Sequence, residues 1–185
     1  MAKVIVGTTM SLDGFINDRN GSVSHLYSDF ESFHDTDVLQ ESIKNTGAVV
    51  MGKETFAMAE DPDSYAGNYE YQVPIFVLCH QAPAKHPKET ETLKFTFVTD
   101  GIESVIRQAK AAAGDKDVTV VGGANISQQI LRAGLADELH IDIIPLLLTD
   151  GLQYFDNLGD ETIQLEKIDV TNVGARTSLR FRIVQ

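Results

Sequence analysis

The sequence predicts an α/β protein built on a mainly parallel sheet with helices on both faces. Three observations predict it. Short, continuous apolar runs at residues 48–51 and 75–78 read as strands buried on both sides, and the β-branched run at 118–121 reads as another strand. Amphipathic helical stretches alternate with such runs over the first two-thirds of the chain, the pattern of parallel strands joined by crossovers. The tail alternates strictly, with Leu179, Phe181 and Ile183 on one side and Arg180 and Arg182 on the other, as in a half-exposed antiparallel strand.

In chain order, residues 3–10 open a first strand through Val4-Ile5-Val6. Ser28-x-x-Glu31 has capping-box spacing and starts a helix with Phe30, Phe33 and Ile43 inward, ending near Gly47. The run at 48–51 leads past Gly52 into a short helix. Residues 57–73, with two Asp, two Glu and three tyrosines, read as a surface excursion. Residues 81–92 read as a second polar loop, between strands at 75–78 and 95–98. Asp100-x-x-Glu103 is another capping-box spacing, before the stripe Ile102, Val105, Ile106 and Ala109 and a stop at Gly114. The strand at 118–121 precedes a helix over 124–133, with Ile126, Ile130 and Leu131 inward and Gly134 at its end. Residues 138–148 form a long strand. No helix separates the last strands, so residues 163–170 pair antiparallel with the tail.

The 185 residues carry 15 basic against 27 acidic side chains, a formal net charge of −12. That field repels polyphosphate, and no basic patch offsets it, so neither nucleic acid nor an anionic membrane surface is an expected partner. A small anionic ligand stays compatible, because a helix N-terminus and one lysine can hold phosphate locally. No apolar run approaches the roughly 18–20 residues that span a bilayer, and the N-terminus has no cleavage-like site. Cys79 is the single cysteine, which excludes an intrachain disulfide and suits a reducing, cytoplasmic setting. The length implies one domain over residues 1–185.

Open α/β sheets bind ligands beyond the carboxyl ends of their strands, here just after Met10, Met51, Leu78 and Val121. Gly122-Gly123 follows a strand and opens a helix. Either it makes a tight turn, or it clears side chains so that backbone N–H groups can approach a diphosphate. Met51-Gly52-Lys53-Glu54-Thr55 has the same strand-to-helix setting, with Lys53 as a cation and Thr55 as a hydroxyl. Gly47 with Gly52-Lys53 mimics a phosphate-binding loop, but Glu54 stands where Ser or Thr is required. Asp13, in the turn Asp13-Gly14, either shapes that turn or faces a ligand at the sheet mouth. Asp37 shares the inward stripe of Phe30 and Phe33. It is either a buried, paired group, a catalytic carboxylate with a raised pKa, or an edge residue in water. Five scattered histidines lack metal-motif company, so no metal is expected. His140 and Asp142 alternate on one strand face, which a half-exposed strand explains. No G-x-S-x-G elbow supports a hydrolase.

Four pieces, in order, carry a resemblance: Thr9-Met10-Ser11-Leu12-Asp13-Gly14-Phe15; Met51-Gly52-Lys53-Glu54-Thr55-Phe56; Val120-Val121-Gly122-Gly123-Ala124 running into Gln128-Gln129-Ile130-Leu131; and residues 133–139 with Pro145-Leu146-Leu147-Leu148. Together they resemble the dihydrofolate-reductase-like family. The likeness is greatest to the reductase (C-terminal) domain of the riboflavin-biosynthesis bifunctional deaminase–reductase and its stand-alone relatives.

The resemblance implies a three-layer fold, with about eight mostly parallel strands and an antiparallel C-terminal strand. It implies NADPH along the carboxyl edge, held by Gly52, Lys53, Glu54 and Thr55 and by Gly122, Gly123, Ala124, Asn125 and Ile126, with a cis peptide at Gly122-Gly123. It also implies a homodimer. The implied activity is hydride transfer from NAD(P)H to a small heterocyclic (pterin- or pyrimidine-like) or carbonyl substrate, with Asp13 and the first helix facing the substrate; Asp13 is the candidate for substrate positioning and Asp37, from the chain's own pattern, the candidate for proton delivery. The alternative is a catalytically degenerate nucleotide-binding or scaffold protein. The chain departs from the pattern at Cys79-His80-Gln81, which lacks the Ser-Arg pair that often holds a 2′-phosphate. NADH therefore stays possible beside NADPH. With no Trp and no aligned acid on the first helix, folate is not the expected substrate. The zinc-deaminase signatures H-x-E and P-C-x-x-C do not occur in the sequence.

Overall fold

One eight-stranded sheet organises the computed structural model, which describes residues 2–184, the side chains of residues 30 and 31 excepted. The elements are β1 (Val4–Ser11), α1 (Phe30–His34), α2 (Asp37–Asn45), β2 (Thr46–Gly52), α3 (Lys53–Phe56), α4 (Tyr65–Asn68), β3 (Ile75–Leu78) and β4 (Phe95–Val98). They continue with α5 (Ile102–Ala113), β5 (Asp117–Val120), α6 (Ala124–Arg132), β6 (Glu138–Ile144), β7 (Gln164–Val173) and β8 (Arg176–Val184). The spatial order is β4-β3-β2-β5-β1-β6-β8-β7. Neighbours from β4 through β6 are parallel, and β8 is antiparallel to both β6 and β7, so β8 alone runs against the sheet.

Successive strand residues face opposite sides, and the two sides have different fates. On one side Val4, Val6, Val118, Val120, Leu139 and Ile141 are buried with the inward stripes of α5 and α6, and Leu179, Phe181 and Ile183 pack on the same cluster. Burying each such aliphatic chain contributes about 1.5–3 kcal/mol, which makes this layer the main core. On the other side Val49, Met51, Ile75, Val77 and Phe95 pack under Phe56, Tyr65 and Tyr71. That second cluster stops at β2. Beyond it, over β5, β1, β6 and β8, the same face is the floor of a cavity.

Several expectations fail for identifiable reasons. The helix expected from Ser28 to Gly47 is two helices. Thr36 takes an extended backbone (φ −80°, ψ 149°) and its hydroxyl caps α2 by accepting from the Leu39 amide at 3.5 Å. Neither helix starts at its expected cap residue. Asp29 is the N-cap of α1 without a side-chain cap bond, and Gly101 (φ 104°) is the N-cap of α5, while Asp100 accepts from the Ser104 hydroxyl at 2.8 Å. The strand expected over 138–148 ends at Ile144, before Pro145, which has no N–H to give a neighbouring strand. Residues 57–73 are not a simple surface excursion. Tyr65 and Tyr71 are buried, and the Phe56 and Tyr65 rings stack at 5.5 Å.

Candidate functional site

Because β2 and β5 are neighbours, the chain leaves the sheet at Gly52 and at Gly122-Gly123 side by side. The Gly52 amide donates to the Gly122 carbonyl at 2.9 Å, and the Val121 amide donates to the Val50 carbonyl at 3.0 Å. The Gly122-Gly123 peptide is cis. Gly122 has φ 108°, which glycine alone adopts freely, and a Cβ there would meet nothing within 4 Å. A Cβ on Gly123 would come within 3.5 Å of the Thr55 hydroxyl, so this threonine closes against the second crossover.

Gly123 starts α6 without a side-chain cap, and the first helical bond runs from the Ser127 amide to the Gly123 carbonyl at 3.2 Å. The amides of Ala124, Asn125 and Ile126 thus precede the hydrogen-bond ladder, at the positive end of the helix dipole. Ala124 and Ile126 bury their side chains in the core, so they can offer a ligand only backbone. Asn125 is exposed, and its side-chain oxygen accepts from Gln129 at 2.6 Å. Lys53 is exposed at the start of α3. Thr55, Glu54, Gly122 and Gly123 open onto the cavity.

The cavity, of about 670 Å³, continues from this point across the sheet face. Its floor carries two polar rows set by strand register. Gly7 of β1 lies beside His140 of β6 and that beside Arg180 of β8; Thr9 lies beside Asp142 and that beside Ser178. Asp142 accepts from the Ser178 hydroxyl at 2.6 Å, and burial pushes its carboxyl above the usual range. His140 bonds Glu138 at 3.0 Å through Nε2, and burial pushes its pKa down, which favours the neutral ring. Tyr27, Phe33, Leu39 and Ser42 form one wall, and Tyr65, Tyr69, Glu70 and Tyr71 another. The two walls join where the Ser42 and Tyr71 hydroxyls share a 2.9 Å hydrogen bond. Burial pushes the Glu70 carboxyl up.

Arg176, on the same face of β8 as Ser178 and Arg180, is fully buried at the end of this floor, covered by Phe33. It donates to both Asp29 carboxylate oxygens (2.7 and 2.6 Å) and to the Thr9 hydroxyl at 3.2 Å, and its guanidinium lies 4.0 Å from the Phe33 ring centroid. These bonds hold the Asp29 carboxyl below its usual range, and they tie the segment before α1 to the sheet.

Neither acid singled out from the sequence lines the cavity. The Asp13 carboxylate accepts from the Ser11 hydroxyl at 2.5 Å and from the Leu148 and Thr149 amides at 3.1 and 2.8 Å, so it pins the loop after β6 to the turn after β1. Asp37 is exposed in the first turn of α2, because the break at Asp35-Thr36 removes it from the stripe of Phe33. Among the described residues, the acids that do reach the cavity are Glu54, Glu70 and Asp142. Asp142 was visible in the sequence as half of an alternating pair with His140; Glu70 was hidden in a loop that reads as polar, although the tyrosines around it signal burial.

The family model for the RibD C-terminal domain matches residues 2–179. The chain belongs to that family. Uncharacterized protein YwjB of Bacillus subtilis (strain 168) is 24% identical over 160 residues, covering 86% of both chains. A putative riboflavin biosynthesis protein from Shewanella sp. PV-4 superposes with a TM-score of 0.79 at 22% identity, over 99% of both chains. A diaminohydroxyphosphoribosylaminopyrimidine deaminase/5-amino-6-(5-phosphoribosylamino)uracil reductase from Thermotoga maritima has a TM-score of 0.73 at 16% identity, over 99% of this chain and 57% of that longer one. At these identities the likeness carries the fold, and the observed architecture is the dihydrofolate-reductase-like one of RibD-type domains. Among the described residues no helix is long and apolar enough to cross a membrane, and no group of His, Cys, Asp and Glu is arranged to hold a metal ion.

Proposed function

We propose that this chain is an NAD(P)H-dependent reductase that transfers a hydride to a small heterocyclic or carbonyl substrate. The observation that carries the reading is the pairing of Gly52 with Gly122, which opens two glycine-bearing crossovers onto one cavity. The residues present fit a dinucleotide: open space above Gly122, amides of residues 124–126 at a helix start, and an exposed lysine at residue 53. When bound, a reduced nicotinamide supplies a hydride to the electrophilic carbon of a C=N or C=O bond and is left oxidised.

The chain supplies position and a proton. Tyr27, Tyr69 and Tyr71 wall the cavity and exclude water around the reacting bond. The nitrogen or oxygen of that bond needs one proton, and Glu70 is the group best placed to hold it. Glu70 lines the cavity, and burial raises its carboxyl pKa, with the charge of His34 opposing that rise. Asp142, in contrast, is engaged by Ser178 and lies 3.8 Å from Arg176. Asp13 and Asp37 have no part in this scheme.

The test is loss of reduced-nicotinamide absorbance when the protein meets NADPH and a panel of pterins, pyrimidines and quinones. Turnover with at least one panel member is expected. NADPH binding without turnover on any of them favours a nucleotide-binding scaffold instead.

A further inference from the structure

We infer that Ser42 is a positioning residue: its hydrogen bond to Tyr71 closes the wall that carries Glu70 against α2. This deepens the reductase reading and rests on it for the part Glu70 plays, though the hold on Glu70 can be measured without turnover.

Glu70 stands on a segment that is tied to itself. The Gln72 side chain donates to the Tyr65 and Tyr69 carbonyls at 2.9 and 2.7 Å and accepts from the Gly67 amide at 3.2 Å. These bonds draw residues 65–72 into one closed turn, which packs through the Tyr65 ring on Phe56 at 5.5 Å. Tyr69 and Tyr71 flank Glu70, with their ring centroids 5.7 Å apart. The tie fixes the turn internally; it does not fix how closely the turn meets the wall opposite.

That closure falls to one polar contact. Among the described residues, α2 brings Val38, Leu39 and Ser42 to the cavity, and of these Ser42 alone carries a hydroxyl. It shares a 2.9 Å bond with the Tyr71 hydroxyl, and among the described residues no other hydrogen bond joins α2 to residues 65–72. Tyr71 is 6% exposed, so the bond lies away from bulk water, where a lost partner is costly. Opening this seam adds water beside Glu70, and hydration favours the ionised carboxylate.

The groups that face Glu70 come from every side of the cavity. His34 of α1 opposes the rise that burial gives its carboxyl. Tyr27, Tyr65, Tyr69 and Tyr71 all feel its charge. The floor contributes His140, Asp142 and Arg180, and α3 contributes Glu54. Removing the Ser42 hydroxyl leaves each of these side chains in the sequence, so a change at Glu70 in that variant reports the seam.

Carbon-13 NMR titration of the whole chain, labelled at the glutamate Cδ, tests this, with E70Q assigning the resonance. In the parent, Glu70 should titrate above the ordinary value of about 4.3. S42A and Y71F should both move its midpoint down towards that value, and S42T, which keeps the hydroxyl, should not. A fall of one unit cuts the protonated fraction near neutral pH about tenfold, and single-turnover hydride transfer should slow by the same factor. Circular dichroism melts check that the variants stay folded. S42A and Y71F remove the same bond, so a shift in one alone, or in neither, overturns the inference. So does a parent Glu70 at the ordinary value, or an S42T midpoint as low as that of S42A. A parent chain that binds no NADPH would sink the reductase reading, while the titration would still decide whether Ser42 holds Glu70.

Discussion

The amide of Gly52 and the carbonyl of Gly122 are hydrogen-bonded at 2.9 Å, which joins two chain crossovers separated by seventy residues of sequence. Neither glycine carries a side chain into the space above the pair. Gly122 also holds φ 108°, where a side chain is strained. G122A should therefore lower stability by about 1–3 kcal/mol and weaken dinucleotide binding. G174A provides the comparison, because Gly174 has φ 60° and open space around it, far along the chain in the β7–β8 turn. It should lower the melting temperature and leave dinucleotide affinity alone. Thermal melts and titrations on both variants check the pair.

Lys53 is the exposed cation at the first crossover. K53A should weaken NADPH more than NADH, read as a smaller thermal shift. A ligand at about 100 times its dissociation constant adds about 2.7 kcal/mol of stability, so the comparison is well within reach. Equal losses for both cofactors would mean that Lys53 does not read the 2′-phosphate.

Asp13 is a clamp on a loop, and its pH behaviour follows. The Ser11 hydroxyl bond first, then the Thr149 and Leu148 amides, hold its carboxyl below the usual range. A depressed carboxylate contributes stability above its unfolded pKa of about 3.9 and loses it as pH falls through the lower folded value. D13N should melt earlier than the parent chain at neutral pH, and the gap should narrow in acid below about pH 4. Ligand affinity should not change. Melting curves over a pH series read both effects.

Glu70 gives the opposite sign. Burial raises its carboxyl, so the protonated form persists above the ordinary carboxylate range. If that form donates the proton, single-turnover hydride transfer should slow as pH rises through the folded value. E70Q should lower the rate by roughly 10²–10⁴-fold and flatten that limb. A limb that survives E70Q assigns the proton to another group.

Much of this arrangement is legible in the residues. A glycine after an apolar run, followed by helix-forming sequence, marks a strand end where backbone must be approached closely, and both crossovers carry that mark. The tail's alternation fixes β8, because one face packs on the core and the other does not. The cavity's polar floor was harder to see. Period-two alternation at His140 and Asp142 says that one face is polar, but bulk water and an enclosed cavity produce the same pattern. Only the register with Gly7, Thr9, Ser178 and Arg180 distinguishes them. Asp37 misled for a local reason: a threonine cap at residue 36 restarted the helix and rotated the acid into solvent. Glu70 was obscured because the loop's acids and glycine outweighed its tyrosines in any reading of polarity. Those tyrosines, once folded over the second core cluster, bring Glu70 onto the cavity wall.

Hydrogen–deuterium exchange with and without saturating NADPH tests the joint grip most directly. Peptides covering residues 52–55 and 122–126 should gain protection together, at the same cofactor concentration. Protection of one crossover without the other, or of neither, would contradict a dinucleotide held between Gly52 and Gly122.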